Sequence, residues 1–181
     1  MKKSQICARA QIIAYTEEVT NIFEKIFQAL NKEKIQYLVV GGVAVNLHGY
    51  IRFTGDLDLL VLLDEKNLAK LDRVMKKLGY SERLPVSVLE LQDQKQVRKW
   101  LKEKNMRAYS FTPPKETLLQ IDIIIEESLK FEKIAKNKSN KRMDGVTIPV
   151  VSIQDLITMK KKANRTQDLE DLKQLIELKK L

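Results

Sequence analysis

The chain has 181 residues, of which 44% are hydrophobic and 31% are charged, so one domain can bury a sizeable core. No apolar run approaches the ~18 residues of a membrane-spanning helix. Arg9 and Gln11 interrupt the apolar patch near the N-terminus, which argues against a signal peptide. The lone cysteine, Cys7, excludes an internal disulfide and any metal-binding cysteine spacing. We therefore expect a cytoplasmic protein with no membrane partner.

The formal net charge of +9, from 33 Lys and Arg against 24 Asp and Glu, has two explanations of equal weight. One is attraction to polyanions, whether nucleoside triphosphates or nucleic acid. The other is a lysine-rich coding bias.

The segment from Lys130 to Arg142 carries six basic residues and one acidic residue. It favours a polyanionic partner only weakly, because charge runs are usually solvated faces.

The hydrophobic pattern predicts alternating helices and strands. From Thr16, the expected N-cap, apolar residues recur at helical spacing through residue 35 and predict a first amphipathic helix. The predicted strands are Tyr37–Val40, Leu57–Leu63, Met106–Phe111, Leu118–Ile125 and Val146–Val151. Trp100 and the phenylalanines have the spacing of core residues.

Further helices are predicted between and after these strands. Their bounds are Val43 to His48, Asn67 to Leu78, two short helical patterns in an insertion at 80–105, and a helix pair in 152–179, capped by Ser152 and Thr166. Gly41-Gly42 is predicted to be a turn that leads into the first of these, and Gly49 to end it in a left-handed conformation. Without a Cβ, the glycine pair lets backbone N–H groups approach a bulky anion such as phosphate.

Asp56 and Asp58 stand at the entrance of the second predicted strand. Because side chains alternate along a strand, this i, i+2 pair projects from one face. Two like charges so close are costly unless a cation lies between them. Carboxylate oxygens suit a divalent metal, and phosphates beside metal-bound carboxylates point to nucleotide chemistry.

Asp122 lies in the apolar run QIDIII, where a buried strand has no structural use for an unpaired carboxylate. If its strand adjoins that of Asp56 and Asp58, the three carboxylates form a site for two Mg²⁺ ions. The alternative is a strand-end aspartate that a turn or an arginine satisfies. Asp64 is the next candidate for the third carboxylate.

The segment GGVAVNLHGYIRFTGDLDLLV resembles the core motif of the nucleotidyltransferase superfamily: an apolar strand, Gly-Gly or Gly-Ser, then Asp-x-Asp. More narrowly, it resembles small bacterial nucleotidyltransferase-like proteins akin to the abortive-infection toxin group. Their core reads GG-x-A-x-x-x-H-G-x-x-R-x-T-x-D-h-D, where h is apolar. Their C-terminal element, K-x-x-A-x-R-x-x-D-x-x-D, corresponds here to Lys160, Ala163, Arg165, Asp168 and Asp171.

The resemblance implies an α+β fold, with a mixed sheet flanked by helices and a C-terminal helix pair. It also implies Mg²⁺-dependent transfer of a nucleoside monophosphate from an NTP. Asp56, Asp58 and Asp122 would be catalytic and bind metal, and Asp122 would also be the base that takes the acceptor proton. The nucleotide-binding residues would be Gly41, Gly42, Arg52, Thr54, Lys160 and Arg165.

Several of these side chains have structural alternatives. Arg52 contacts phosphate or pairs with Asp56 or Asp58, and Thr54 touches substrate or, more simply, caps the turn before the strand. His48, the only histidine, is better explained as a packed or helix-capping residue. Lys160 and Arg165 reach the nucleotide across the cleft, or Arg165 pairs with Asp168 or Asp171 to brace the helix pair.

We predict one domain in three parts. Residues 1–19 are an N-terminal tail and the start of the first helix, residues 20–151 are the core, and residues 152–181 are the helical pair packed on it. The acceptor hydroxyl is left open among RNA (for example a tRNA end), a protein and a small molecule such as an aminoglycoside. The alternative function is a nucleotide-binding or partner-binding module of a toxin–antitoxin pair without turnover.

Overall fold

The computed structural model describes residues 21–180, so Thr16 and the N-terminal tail lie outside the described residues. Within them, helix α1 covers residues 21–32. The other helices are α2 (Gly41–His48), α3 (Glu65–Lys77), α4 (Gln94–Glu103), α5 (Phe131–Ala135), α6 (Ile153–Ala163) and α7 (Thr166–Leu178), with a 3-10 turn at Val88–Gln92. The strands are β1 (Tyr37–Val39), β2 (Asp56–Val61), β3 (Ser81–Glu82), β4 (Ala108–Thr112), β5 (Gln120–Ile124), β6 (Ser139–Met143) and β7 (Val146–Val150).

These strands form one seven-stranded sheet in the order β3-β4-β5-β2-β1-β7-β6. Strand β2 is at the centre, parallel to β5 on one side and antiparallel to β1 on the other. Strand β7 is parallel to β1, whereas β3, β4 and β6 join by antiparallel pairing. The mixed sheet with flanking helices confirms the predicted fold class.

The two faces of the sheet differ at β2 and β5. Leu57 and Leu59 of β2 are completely buried, whereas Asp58 is half-buried and Asp56 is exposed. Strand β5 repeats this alternation, with Ile121 buried on one face and Asp122 half-buried on the other. Apolar burial of one face therefore fixes the register, and the polar residues of both strands lie together on the open face.

Two helix starts differ from the prediction. Gly41 and Gly42 are the first two residues of α2 rather than a turn before it, and Val40 is the N-cap. Arg165, not Thr166, is the N-cap of α7, because the Asp168 carboxylate accepts the Arg165 backbone N–H. The Asp168 carboxylate, one turn into the helix, thus makes the capping hydrogen bond that was expected from the Thr166 hydroxyl.

Other local predictions have mixed outcomes. Ser152 caps α6 as expected, since its hydroxyl accepts the Asp155 N–H at 3.0 Å. Gly49 ends α2 with φ +119°, also as expected. The prediction that all phenylalanines have core positions is wrong for Phe53, which is 81% exposed in the segment before β2.

The basic segment 130–142 is regular structure. It contains α5 and the edge strand β6, and most of its basic side chains are exposed, as expected of a solvated face. The hydrophobic pattern does not predict β6 because Ser139–Met143 is polar at almost every position, as an edge strand can be. Among residues 21–180, no helix is long and apolar enough to cross a membrane.

Candidate active site

The glycine pair lies directly against the carboxylate strand. Gly41 has φ +63°, and a Cβ built on it would lie only 1.8 Å from Oδ2 of Asp58. At Gly42, a Cβ would lie 2.5 Å from Oγ1 of Thr54 and 3.1 Å from Nη2 of Arg52. Only glycine fits at Gly41, on grounds of both backbone conformation and space. The first turn of α2 therefore packs against Arg52, Thr54 and Asp58, which follow the glycine pair in the sequence motif.

The start of α2 is suited to an anion. Val40 at the N-cap makes no side-chain capping bond, which leaves the N–H groups of the first turn without that partner. These N–H groups and the helix dipole favour negative charge at this end. The Val40 N–H donates to the Asp58 carbonyl at 3.0 Å and ties the start of the helix to β2.

The three candidate carboxylates lie on neighbouring strands. Asp58 and Asp122 are direct register partners across the parallel pair β2 and β5, and Asp56 is opposite Gln120. On its other side, Asp122 is opposite Ser110 of β4. The structure thus brings Asp56, Asp58 and Asp122 together on the open face of the sheet.

Their proximity changes their acidity. Burial, and then the negative charges of Asp122 and Asp56, raise the pKa of Asp58 to about 6, although Lys160 and Arg165 oppose the rise. Burial and then Asp122 also raise the pKa of Asp56. The cluster therefore favours any bound cation that relieves the repulsion.

The carboxylates fit a divalent metal in chemistry but do not converge on one point. Among residues 21–180, no three His, Cys, Asp or Glu side chains already have an arrangement that could hold a metal ion. Their carboxylate oxygens are hard donors that suit Mg²⁺ or a similar ion. Such an ion would also relieve the repulsion that contributes to the raised pKa of Asp58. Rotation of the carboxylates would then be needed to bring their oxygens together.

A buried ion-pair network connects the site to the C-terminal helix pair. Arg52 donates to Asp171 through Nε at 2.7 Å and Nη2 at 2.8 Å, in forked geometry. Lys160 Nζ contacts Asp171 at 2.8 Å and Asp168 at 2.7 Å. Asp171 is completely buried. Burial opposes its ionisation, but the hydrogen bonds from Arg52 and Lys160 prevail and hold its pKa below the usual value.

This network revises the expected partner of one residue and matches that of another. Arg52 pairs with Asp171, rather than with Asp56 or Asp58, the partners that the sequence offers as alternatives to phosphate. Arg165 donates to Asp168 at 3.2 Å, the bracing contact offered as its alternative, yet its side chain is 81% exposed. Lys160 and Arg165 lie close enough to Asp58 that their positive charges lower its pKa.

The remaining candidates have structural contacts. Thr54 Oγ1 lies 3.4 Å from the Asp56 carbonyl, in the turn that precedes β2. His48 Nε2 contacts the Val151 carbonyl at 2.8 Å, and burial, chiefly, lowers its pKa. Asp64 caps α3 by accepting the Asn67 N–H at 2.7 Å.

The family follows from the comparison with known proteins. A family model described as "Nucleotidyl transferase AbiEii toxin, Type IV TA system" matches residues 25–180. The chain belongs to the AbiEii family. Its resemblance to the abortive-infection toxin group is thereby confirmed, as is its place among nucleotidyltransferases of toxin–antitoxin systems. Among curated proteins, none matches the chain.

Solved structures share the fold of this AbiEii-family chain. The lincosamide antibiotic adenylyltransferase LnuA is 16% identical, with TM-score 0.56 over 90% of this chain and 96% of that one. The antibiotic-resistance factor ANT(2'')-Ia is 14% identical, with TM-score 0.55 and coverages of 86% and 81%. An antigenic nucleotidyltransferase-like protein from Paracoccidioides brasiliensis is 15% identical, with TM-score 0.58 and coverages of 90% and 77%. At such identities the likeness shows the fold alone.

Two residues of the AbiEii-family site were not assigned from the sequence. The sequence offers Asp171 as a partner of Arg165, whereas the structure joins it to Arg52, which is 119 positions away. Gln120 belongs to none of the sequence motifs, although its i, i+2 spacing from Asp122 places its amide on the same strand face.

Proposed function

We propose that the protein transfers a nucleoside monophosphate from an NTP to an acceptor hydroxyl in a Mg²⁺-dependent reaction. The observation that carries the proposal is the contact of the glycine pair with the carboxylate strand, with Gly41 against Asp58. A helix start suited to phosphate and a carboxylate cluster suited to a divalent metal then lie side by side. Membership of a nucleotidyltransferase family supports the same reaction.

In this proposal the triphosphate lies at the start of α2. The N–H groups of Gly41 and Gly42 bind its oxygens, with Thr54 beside them. The Arg52 guanidinium is held next to Gly42 by Asp171, so it presents positive charge without being free to swing away. Lys160 contributes through its field, whereas the exposed Arg165 side chain can also turn towards a phosphate.

The transfer step needs a base and a leaving group. Asp122 accepts the proton of the acceptor hydroxyl, and the hydroxyl oxygen forms a bond to the α-phosphorus. The bond from the α-phosphorus to the α–β bridging oxygen breaks, and pyrophosphate leaves with that electron pair. Asp56, Asp58 and Asp122 would hold Mg²⁺, which supplies charge stabilisation for the phosphoryl oxygens when bound.

The acceptor class is open among three hydroxyl sources. The names of LnuA and ANT(2'')-Ia indicate that this fold can act on antibiotics, which keeps a small-molecule acceptor in view. The toxin–antitoxin family description favours a cellular acceptor such as RNA, including a tRNA end, or a protein. The basic residues of α5 and β6 favour a polyanion, but β7 and β1 separate β6 from β2. A nucleic-acid acceptor that uses them must therefore extend across the sheet.

The experiment has a binding step and a transfer step. Calorimetry with each of the four NTPs, with and without Mg²⁺, is followed by α-³²P-labelled NTP incorporation into RNA, protein and aminoglycosides. Mg²⁺-dependent binding with transfer to one acceptor class is the expected result. Metal-dependent binding without transfer to any of them would favour the binding module of a toxin–antitoxin pair instead. No NTP binding at all would contradict both the transfer reaction and a nucleotide-binding module, and would leave only a partner-binding module.

A further inference from the structure

The side chain of Gln120 is hydrogen-bonded to the proposed base. Gln120 and Asp122 lie two residues apart on β5 and project from the same open face. Nε2 of Gln120 donates to Oδ1 of Asp122 at 2.9 Å. The other amide atom, Oε1, accepts from Nη1 of Arg83 at 3.4 Å, a longer contact. A chain of donors thus runs from Arg83 through Gln120 to Asp122.

Chemistry fixes the orientation of the Gln120 amide. An ionised carboxylate only accepts hydrogen bonds, and a guanidinium only donates them. The NH₂ group must therefore face Asp122 and the carbonyl oxygen must face Arg83. A flipped amide would place oxygen against oxygen at one end and N–H against N–H at the other. Arg83 is itself anchored, because its backbone N–H donates to the Ser110 carbonyl at 3.1 Å.

The Asp122 carboxylate needs such a restraint. Its register partners are Asp58, a like charge, and Ser110. Within the described part of the chain, Gln120 is the only side chain that hydrogen-bonds to Asp122. Its bond occupies Oδ1 and leaves Oδ2 to another partner. Because the amide is neutral, it restrains the carboxylate without adding a cation that would compete with a metal.

We propose that Gln120 is a positioning residue, which orients the Asp122 carboxylate so that Oδ2 takes the proton of the acceptor hydroxyl. The inference rests on the proposed nucleotidyl transfer. In this proposal Gln120 acts through its hydrogen bond to Asp122 and not on the nucleotide. Its removal should therefore slow the transfer step and leave NTP binding, which depends on the glycine pair, nearly intact.

The first test compares three variants. Gln120→Leu removes the amide at similar size, and Gln120→His keeps an N–H donor of similar reach. Gln28→Leu is the matched control, since Gln28 Nε2 donates to the Glu24 carboxylate at 2.7 Å on α1, outside the site. Calorimetry gives the Mg-NTP dissociation constant. Release of labelled nucleoside monophosphate from α-³²P-labelled NTPs, with water as the acceptor, gives the rate without an identified acceptor.

We expect Gln120→Leu to keep Mg-NTP affinity within about twofold and to lose roughly 10- to 100-fold in rate, as for other residues that orient a reacting group through a hydrogen bond. Gln120→His should recover most of that rate, and Gln28→Leu should match the wild type. A Gln120→Leu variant with unchanged rate, or with affinity lost in step with rate, overturns the proposal.

The second test does not depend on activity. Crystal structures of the nucleotide-free wild type and of Gln120→Leu should show one Asp122 rotamer in the former and a turned or split carboxylate in the latter. An unmoved Asp122 carboxylate in the variant overturns the proposal, whatever the rates. If the wild type neither binds NTP nor releases nucleoside monophosphate while the two crystal structures differ as expected, the proposed function fails and the orienting bond stands.

Discussion

Asp58 and Asp122 are direct register partners on parallel strands β2 and β5, so two carboxylates face each other on the open side of the sheet. Apolar residues alternate with them on both strands and are buried on the opposite face. A slip of one residue would bury both charges. The same pattern that builds the core thus holds the carboxylates side by side, and the start of α2 is tied to one of them.

Gly41→Ala should lose NTP binding and destabilise the fold. The left-handed backbone alone costs a non-glycine residue about 1–2 kcal/mol, and the new Cβ would overlap the Asp58 carboxylate. The matched control is Gly55→Ala, because a Cβ at Gly55 meets nothing within 4 Å. Urea unfolding and calorimetry with Mg-NTP measure both effects. A Gly41→Ala protein that behaves like Gly55→Ala would show that the glycine pair does not pack as described.

Asp58→Asn should stabilise the metal-free protein at neutral pH. The folded-state pKa of Asp58, about 6, lies above the unfolded value of about 3.9. The folded state therefore binds more protons between these values, and stability falls as pH rises through that window. The ionised carboxylate costs on the order of 2–3 kcal/mol above the window, and nothing below it.

The measurement for this prediction is urea unfolding of the wild type and of Asp58→Asn from pH 4 to pH 8, without divalent metal. The advantage of the variant should be largest above pH 6 and shrink as pH falls towards 4. Added Mg²⁺ should stabilise the wild type but not the variant. Equal stabilities across the whole range would mean that folding does not raise the pKa of Asp58.

Asp171→Asn should destabilise the protein by about 3–5 kcal/mol, because it leaves Arg52 and Lys160 without their shared buried partner. Glu170→Gln on the same helix is the control, since the Glu170–Lys173 pair is exposed and worth little. Urea unfolding at pH 7 compares the two. If Asp171→Asn were no less stable than the control, the buried network would not join the glycine pair to α7.

Five of the seven strands in residues 21–180 and the Asp56–Asp58 pair could be predicted from the sequence because their cause is local. Alternation of apolar residues marks β2 and β5, and two-residue spacing places Asp56 and Asp58 on one face. The start of α2 was misplaced because glycine is a poor helix former, and its contact with Asp58 is tertiary. The partner of Arg52 could not be predicted, since it depends on how α7 packs against a segment 119 residues earlier.

The basic segment 130–142 gives a prediction about the acceptor. If it is RNA, replacing the exposed Lys133, Lys136 and Lys138 by Gln should weaken RNA binding. The slope of log affinity against log salt should also fall by about 0.7 for each phosphate of a single strand that the protein no longer neutralises. Replacing the exposed Lys32, Lys66 and Lys77 by Gln removes equal charge elsewhere and is the control. Equal effects of the two triple variants on RNA binding would exclude a specific role for the basic segment 130–142.

The separate roles of the carboxylates are the central claim, and Mg-NTP affinity and transfer rate measured side by side in Asp56→Asn and Asp122→Asn test it most directly. Asp56→Asn should lose metal-dependent binding and transfer together. Asp122→Asn should bind Mg-NTP with modestly reduced affinity, since Asp56 and Asp58 remain, while transfer falls roughly a hundredfold or more because the base is missing. Full transfer by Asp122→Asn, or loss of NTP binding as complete as in Asp56→Asn, would contradict the assignment.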